Sequence, residues 1–415
     1  MSERATAPYT LLAAGVTALV ATACSHKLPR SVLLAEFPSE KGHAHAESFV
    51  VGDIDRDGRA DVALICETEP GLPSEAAAEV FSPQRQASIL TLRTGVAAAW
   101  RTTRAAAAGD TNADGWPDVL LAVGGASDHA EPGRVWLFSG RDASVLHRWT
   151  GTDPAAAFGT GAGTVGDLDG DRADDIWISA PQTQHTRFAS STDTCGGGFL
   201  NLYSGRTGAE LFTVRGESTG DAIGESVLPI DDLDGDGVPE LAVGSTSLAR
   251  APAARIFSGR NGSLVRRLTP PAPDPAYYLQ LAGYYDADGD GSNECLLSQR
   301  GESWLVSPGD GRVLATFAHE RAKPELVGDF DRDGTCDFVV CDLDFPGEGI
   351  FETSGLLARL HSGRDGRALG ERFFGEPGLP PIVSPLGDID VDGVTDLLIP
   401  RYGVVSGARM FALRP

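Results

Sequence analysis

The sequence predicts an all-β protein: a β-propeller of seven four-stranded blades, with the last blade closed by a strand from the N-terminus. Three observations lead there. A nine-residue acidic pattern, Asp-x-Asp-x-Asp-Gly-x-x-Asp/Glu, starts at Asp53, Asp110, Asp167, Asp232, Asp286, Asp329 and Asp388, at spacings of 57, 57, 65, 54, 43 and 59 residues, twice with one substitution. A period of that length marks an array of one supersecondary unit. Between the acidic loops lie short β-rich runs bounded by turn residues, with no helical periodicity of useful length.

Residues 1–23 read as an export signal: Tyr9–Ala23 is a small, mostly apolar run, and Ala21-Thr22-Ala23 is an A-x-A cleavage site. The run is too short for a membrane span. Cys24 follows directly and Ala-Thr-Ala-Cys resembles a lipobox, although Ala21 stands where Leu is usual, so lipid anchoring and plain secretion both stay open. Residues 24–30 form a linker, and 31–415 form the array.

The third repeat displays one unit most clearly. Ala157-Phe158-Gly159 through Val165 leads into the acidic loop, and Ile176-Trp177-Ile178 leaves it. Phe199–Tyr203 alternates apolar and polar, Ser204-Gly205-Arg206-Thr207-Gly208 is a turn, and Glu210–Val214 is the fourth strand. The Ser-Gly-Arg turn recurs at Ser139, Ser258 and Ser362. Four-stranded units repeated radially make a propeller, whose closure removes free sheet edges. The last repeat supplies only three strands, so Ser31–Phe37 is expected to provide its fourth.

The acidic loops are read as calcium sites. Ca²⁺ takes six to eight oxygens at flexible distances. Acids at positions 1, 3 and 5 of a tight turn converge, position 7 offers its carbonyl, and the acid at position 9 closes the cage with both oxygens. Glycine at position 6 accommodates the reversal. The first loop has Asp53, Asp55, Asp57 and Asp61; the second Asp110, Asn112, Asp114 and Asp118; the third Asp167, Asp169, Asp171 and Asp175. The fourth has Asp232, Asp234, Asp236 and Glu240; the fifth Asp286, Asp288, Asp290 and Glu294. The sixth has Asp329, Asp331, Asp333 and Asp337; the seventh Asp388, Asp390, Asp392 and Asp396. Arg172 replaces the glycine of the third loop, which ranks that site weakest. Up to seven structural Ca²⁺ ions are expected. Magnesium, which keeps its waters and strict octahedral geometry, fits less well.

The net charge of −24 has this one source: 27 of the 58 acidic residues occupy ligand positions, and the remaining 31 face 34 bases. A chain this acidic is a poor nucleic-acid binder. Five cysteines remain after Cys24, an odd count with no C-x-x-C spacing, which argues against zinc and dithiol chemistry. Gly216-Glu217-Ser218-Thr219-Gly220 fits a nucleophile elbow and Gly161–Gly166 a dinucleotide loop, but neither leads into a helix, so both are rejected.

Phe158-Gly159 through Gly166-Asp167-Leu168-Asp169-Gly170-Asp171 to Ser179-Ala180-Pro181 resembles an FG-GAP repeat, the unit of the integrin α-chain propeller and of many bacterial envelope proteins. Ile223-Gly224-Glu225-Ser226 through Val243-Gly244 is a second good match. The first, second and fifth copies lack a clear Phe-Gly before the loop. The resemblance implies seven blades, each with calcium in the loop between its first two strands.

In a four-stranded meander the first and third turns share one face. The calcium loops and Ser-Gly-Arg turns therefore lie together, and the second turns, at Glu67–Ala87, Pro181–Gly197 and Asp342–Ser354, occupy the other face. Ligand binding is expected there, near His185, Arg187, Phe188 and Phe345. The expected function is extracytoplasmic binding or adhesion toward a protein or glycan. A carbohydrate-active enzyme is the alternative, because some polysaccharide lyases are similar propellers, but no catalytic constellation is visible in the sequence.

Overall fold

The computed structural model describes residues 32–412 except 39–43, 68–73, 99–102, 125–131, 154–155, 182–196, 219–220, 225, 245–252, 272–278, 300, 319–323, 345–354, 375–383, 388–395 and 402–406. The described residues contain no α-helix and form seven antiparallel four-stranded sheets. In chain order β1 (Val32–Pro38) stands apart. The first sheet is then β2 (Ala44–Gly52), β3 (Asp61–Glu67), β4 (Ser74–Ser82) and β5 (Ala87–Ala98). The second is β6 (Thr103–Gly109), β7 (Asp118–Val123), β8 (Arg134–Phe138) and β9 (Val145–Thr150). The third is β10 (Ala162–Gly166), β11 (Asp175–Ala180), β12 (Phe199–Tyr203) and β13 (Glu210–Arg215). The fourth is β14 (Val227–Ile230), β15 (Glu240–Val243), β16 (Ala254–Phe257) and β17 (Leu264–Leu268). The fifth is β18 (Gln280–Tyr285), β19 (Glu294–Gln299), β20 (Glu302–Val306) and β21 (Val313–Ala318). The sixth is β22 (Pro324–Gly328), β23 (Asp337–Asp344), β24 (Gly355–His361) and β25 (Ala368–Phe374). The seventh joins β26 (Ser384–Gly387), β27 (Asp396–Arg401) and β28 (Gly407–Ala412) to β1.

Strand β1 pairs antiparallel with β28, from Val32 opposite Ala412 to Pro38 opposite Gly407. The first and last described strands are thereby hydrogen-bonded in one sheet. The first strands of successive sheets touch in turn, from β2 through β6, β10, β14, β18 and β22 to β26, and β26 touches β2 again. The arrangement is β-propeller-like.

Period-2 alternation explains how the sheets pack. Every residue of β7 is buried. Val119, Leu121 and Val123 face one core together with Ile65, Val80 and Trp136. Leu120 and Ala122 face the next core, with Ile176 and Ile178 of the following sheet. A strand wedged between two neighbours must be apolar on both faces, which is why Asp-Val-Leu-Leu-Ala-Val is a continuous run. Burying one such leucine contributes about 1.5–3 kcal/mol. The outer strand β9 (Val-Leu-His-Arg-Trp-Thr) instead buries only Trp149.

The Phe-Gly element acts in these interfaces. Phe158 is buried between the second and third sheets, while Gly159, at φ +80°, donates its N–H to Ser179 O at 2.9 Å. Ile223-Gly224 repeats the arrangement one sheet on, with Gly224 at φ +97° donating to Gly244 O.

One expectation is corrected. Glu67–Ala87 is not one long second turn, because Ser74–Ser82 is strand β4, pairing with β3 from Val62 opposite Phe81 to Cys66 opposite Ala77. The polar and small residues of Ser-Glu-Ala-Ala-Ala-Glu hid a strand whose alanines face the core, Ala78 with no exposed surface. His185, Arg187, Phe188 and Phe345 lie outside the described residues.

Candidate metal loops and the cavity opposite them

Each described acidic loop joins the first and second strands of a sheet. The acid at position 1 organises the turn. Asp53 accepts hydrogen bonds from the N–H groups of Asp57 at 3.0 Å and Gly58 at 2.8 Å. Asp110, Asp167, Asp232 and Asp329 accept from the same two positions of their loops. Asp286 accepts from Gly289 and Gly291. A metal-free Asp-rich turn makes such bonds too. It has no need, however, to gather like charges. Carboxylate oxygens of Asp53, Asp55 and Asp57 lie within 4.8 Å of one another, as do those of Asp232, Asp234 and Asp236; Asp286, Asp288 and Asp290; and Asp329, Asp331 and Asp333. In the third loop the trio is Asp167, Asp169 and Asp175. The second loop brings Asn112 to the equivalent place, where its Oδ1 accepts the N–H of Asp114 at 2.8 Å. Asp388, Asp390 and Asp392 lie outside the described residues, and Asp396 is buried at the start of β27.

Two positions of each of the six described loops are left-handed. Position 6 has φ between +69° and +91°, and Arg172 adopts it at +69° in place of glycine. Its N–H still reaches Asp167 at 2.8 Å, so the third loop keeps the shared shape. Position 4 is left-handed as well, occupied by Arg56, Ala113 and Arg332 in three loops and by Gly170, Gly235 and Gly289 in the others. The third loop therefore carries one non-glycine residue in this region, as do the first, second and sixth.

The acid at position 9 behaves differently from the triad. Asp61, Asp118, Asp175, Glu240 and Asp337 have no exposed surface. One oxygen accepts the position-2 N–H, from Ile54, Thr111, Leu168, Leu233 or Phe330, at 2.5–3.0 Å. In the second, third and sixth sheets the other oxygen accepts the N–H of the Ser-Gly-Arg glycine, Gly140, Gly205 or Gly363, each at 3.1 Å. The closing acid thus staples the first turn to the third, a use that competes with the expected two-oxygen grip on an ion. In the first sheet Pro83 stands where that glycine would be and has no N–H to give. Asp61 Oδ1 is left buried without a partner, as is Glu240 Oε1 in the fourth sheet. Burial, then the nearby Asp55 charge, push the Asp61 carboxyl up to about 7. Burial likewise raises Asp118, Asp175 and Asp337 to about 6. A cation at the triad would offset this cost of burying negative charge.

The glycine also permits close docking. A Cβ on Gly140, Gly205, Gly259 or Gly363 would sit 1.8–2.0 Å from the position-8 carbonyl oxygen of Pro117, Asp174, Pro239 or Cys336. The arginine that follows reaches the loop acids: Arg206 pairs with Asp171 at 3.2 Å, Arg260 with Asp236 at 2.6 Å and Arg364 with Asp333 at 4.0 Å. In the first sheet Arg85 pairs with Asp55 at 2.8 Å. The loops and third turns do share one face, and the recurring Ser-Gly-Arg was the signal that they interact.

At the opposite end of the first strands lies a cavity of about 410 Å³. Arg104 and Gln280 stand at the starts of β6 and β18, and Thr160 and Gly161 just precede β10, whereas the acidic loops follow the ends of these strands. Phe49 and Trp177 complete the wall. The indole of Trp177 lies over Gly161 and Gly163, where added Cβ atoms would come within 2.8–2.9 Å of the ring. The glycines that mimic a dinucleotide loop therefore make room for a tryptophan.

Four-stranded sheets with acidic loops between their first two strands, closed by the pairing of β1 with β28, define a repeat protein of the propeller-like kind. The FG-GAP repeat family model matches residues 102–138, the second unit, which has no Phe-Gly before its loop. The chain is 25% identical to integrin alpha-V of Gallus gallus over 235 residues, 53% of this chain and 22% of that protein. It is 29% identical to integrin alpha-4 of Xenopus laevis over 153 residues, 34% of this chain and 14% of that protein. It thus spans less than a quarter of either relative. Among solved structures, rhamnogalacturonan lyase YesW superposes with a TM-score of 0.55 at 14% identity, over 93% of this chain and 76% of that one, a likeness of fold alone. The second unit thus matches the FG-GAP repeat, and the chain is similar to integrin α chains over part of its length.

Proposed function

We propose that the chain is an exported, calcium-stabilised seven-bladed β-propeller that acts as a binding or adhesion module, holding a protein or glycan on the face opposite its acidic loops. The observation that carries this reading is the division of chemistry between faces: converging carboxylates at one end of the first strands, and a cavity with polar walls at the other. The donor set fits calcium. Only hard oxygen donors converge, and Asp61 Oδ1 and Glu240 Oε1 have unused lone pairs beside their triads. The ion would be held by positions 1, 3 and 5 with position 9 behind them, and in the third loop by positions 1, 3 and 9 with Asp171 beside them. When bound it supplies positive charge that relieves repulsion within each loop.

The protein's own residues do the rest. Position 1 folds the turn, position 9 ties it to the third turn in the second, third and sixth sheets, and Arg85, Arg206, Arg260 and Arg364 each pair with one loop acid. With that face fixed, the strand starts of the other face form a rigid rim suited to recognition. Residues 1–23 are the proposed export signal, and lipid at Cys24 would provide the membrane tether. The test is elemental analysis of freshly prepared protein, followed by a protein and glycan pull-down with residues 24–415. Calcium above one ion per chain and a specific captured ligand are expected; material free of calcium, or no ligand of either kind, refutes the reading.

The alternative, a carbohydrate-active enzyme, draws support from the position of the cavity. It requires a general base beside Arg104, and turnover of a polysaccharide by purified protein would establish it.

A further inference from the structure

The cavity walls carry a chemical preference. Arg104, Gln280 and Trp177 each bring hydrogen-bond donors to the cavity, and among the described residues none of their side chains makes a hydrogen bond or ion pair. Arg104 is exposed, whereas Trp177, Gln280 and Phe49 are partly buried. Thr160 is already engaged, its hydroxyl donating to Ala157 O at 2.6 Å. In a protein of net charge −24, the single charged group among the described lining residues is positive. The described acidic loops lie at the far end of the strands, and among the described residues no carboxylate pairs with this guanidinium.

Unpartnered donors select an acceptor-rich ligand, and a guanidinium selects a planar carboxylate, which it can grip through two parallel N–H bonds. The aromatic groups select a ligand with an apolar face. A sugar ring has both features: hydroxyl oxygens around its edge, and a face of C–H groups that packs on the electron-rich surface of an indole. The volume lies within the range of small-ligand sites, about 300–1,000 Å³. A docked strand or helix would need a groove along an element instead.

We propose that this cavity binds a saccharide bearing a carboxylate, with the carboxylate on Arg104, a ring face on Trp177 and a hydroxyl accepting from the Gln280 amide. The proposal rests on the reading of this face as a recognition surface and names the ligand class. It also gives Gly161 and Gly163 a role, since a side chain at either would displace the indole from the cavity wall.

The experiment is a titration of the full chain with a uronate disaccharide and with its neutral parent disaccharide, followed by calorimetry and intrinsic tryptophan fluorescence. Free calcium is held constant, so that the uronate does not strip metal from the loops. The uronate is expected to bind at least tenfold more tightly than the neutral sugar, with quenching, and with a preference that shrinks as ionic strength rises. Arg104→Gln should abolish the preference while leaving neutral-sugar binding in place. Trp177→Leu should weaken both sugars and remove the quench. Equal binding of the two sugars, or an unchanged preference in Arg104→Gln with an unchanged melting temperature, overturns the proposal, and the recognition reading stands because saccharide still binds. Binding of neither sugar overturns it as well, and the pull-down then decides the broader reading separately.

Discussion

Gly205→Ala tests the link between the acidic loops and the third turns. Gly205 does not have a positive φ, so alanine fits the backbone and the cost arises from contact alone. The new Cβ would lie 2.0 Å from Asp174 O and 2.9 Å from the Thr111 Cβ, where ordinary contact begins at 3.4 Å. The turn must retreat by about 1 Å, an overpacking cost of about 1–3 kcal/mol. Retreat also stretches the 3.1 Å bond from Gly205 N–H to the buried Asp175 carboxylate. Loss of a hydrogen bond to a charged group adds about 1.5–3 kcal/mol. A combined loss of about 3–5 kcal/mol lowers the melting temperature of a chain this long by about 3–6 °C. Gly311→Ala is the reference: it meets nothing nearer than Leu268 at 3.9 Å and loses stability only through its φ of +77°, about 1–2 kcal/mol. Calorimetry in excess calcium measures both variants. If Gly205→Ala melts no lower than Gly311→Ala, the staple does not hold the turns together.

Exhaustive chelation should lower the melting temperature strongly, since each site held at a hundredfold its Kd stabilises by about 2.7 kcal/mol; an unchanged curve rules out structural calcium. Asp331→Ala should reduce the calcium bound by about one ion per chain, whereas full retention would remove Asp331 from the ligand set. Arg255→Met should destabilise by about 3–5 kcal/mol because it strands the buried Asp221, its partner at 2.7 Å. Adding Asp221→Asn should recover much of that loss in a urea melt, and no recovery would refute the pairing. Burial holds the His361 imidazole below its ordinary value of 6.5, although its hydrogen bond with Gly366 O opposes the shift. The unfolded chain therefore takes up this proton first, and the stability due to neutral His361 is present above pH 6.5 and lost as pH falls below it. His361→Gln should show a shallower loss of stability between pH 7.5 and 5.5 than the parent; equal slopes would place the titration elsewhere.

What the sequence determined by itself was local. The nine-residue pattern located each described loop, because an Asp side chain bonds to backbone only a few residues away and the turn is complete within its own span. Alternation located most strands, and a last repeat with only three strands called for a fourth from the N-terminus, which β1 supplies. Strand β4 escaped notice because alanine and glutamate carry little β signal, and only its neighbours make its alanines core residues.

What tertiary structure alone decided joins residues far apart in the chain. Asp175 meets Gly205 30 positions on, and Arg260 meets Asp236 across 24. Periodicity has no term for such pairs, so the recurring Ser-Gly-Arg read as a turn with no stated partner. The cavity depends on the sheets even more fully. Arg104, Trp177 and Gln280 belong to three different sheets and carry no motif between them. They share one cavity because Arg104 and Gln280 stand at the starts of first strands, while Trp177 reaches from the second strand of its sheet across Gly161 and Gly163.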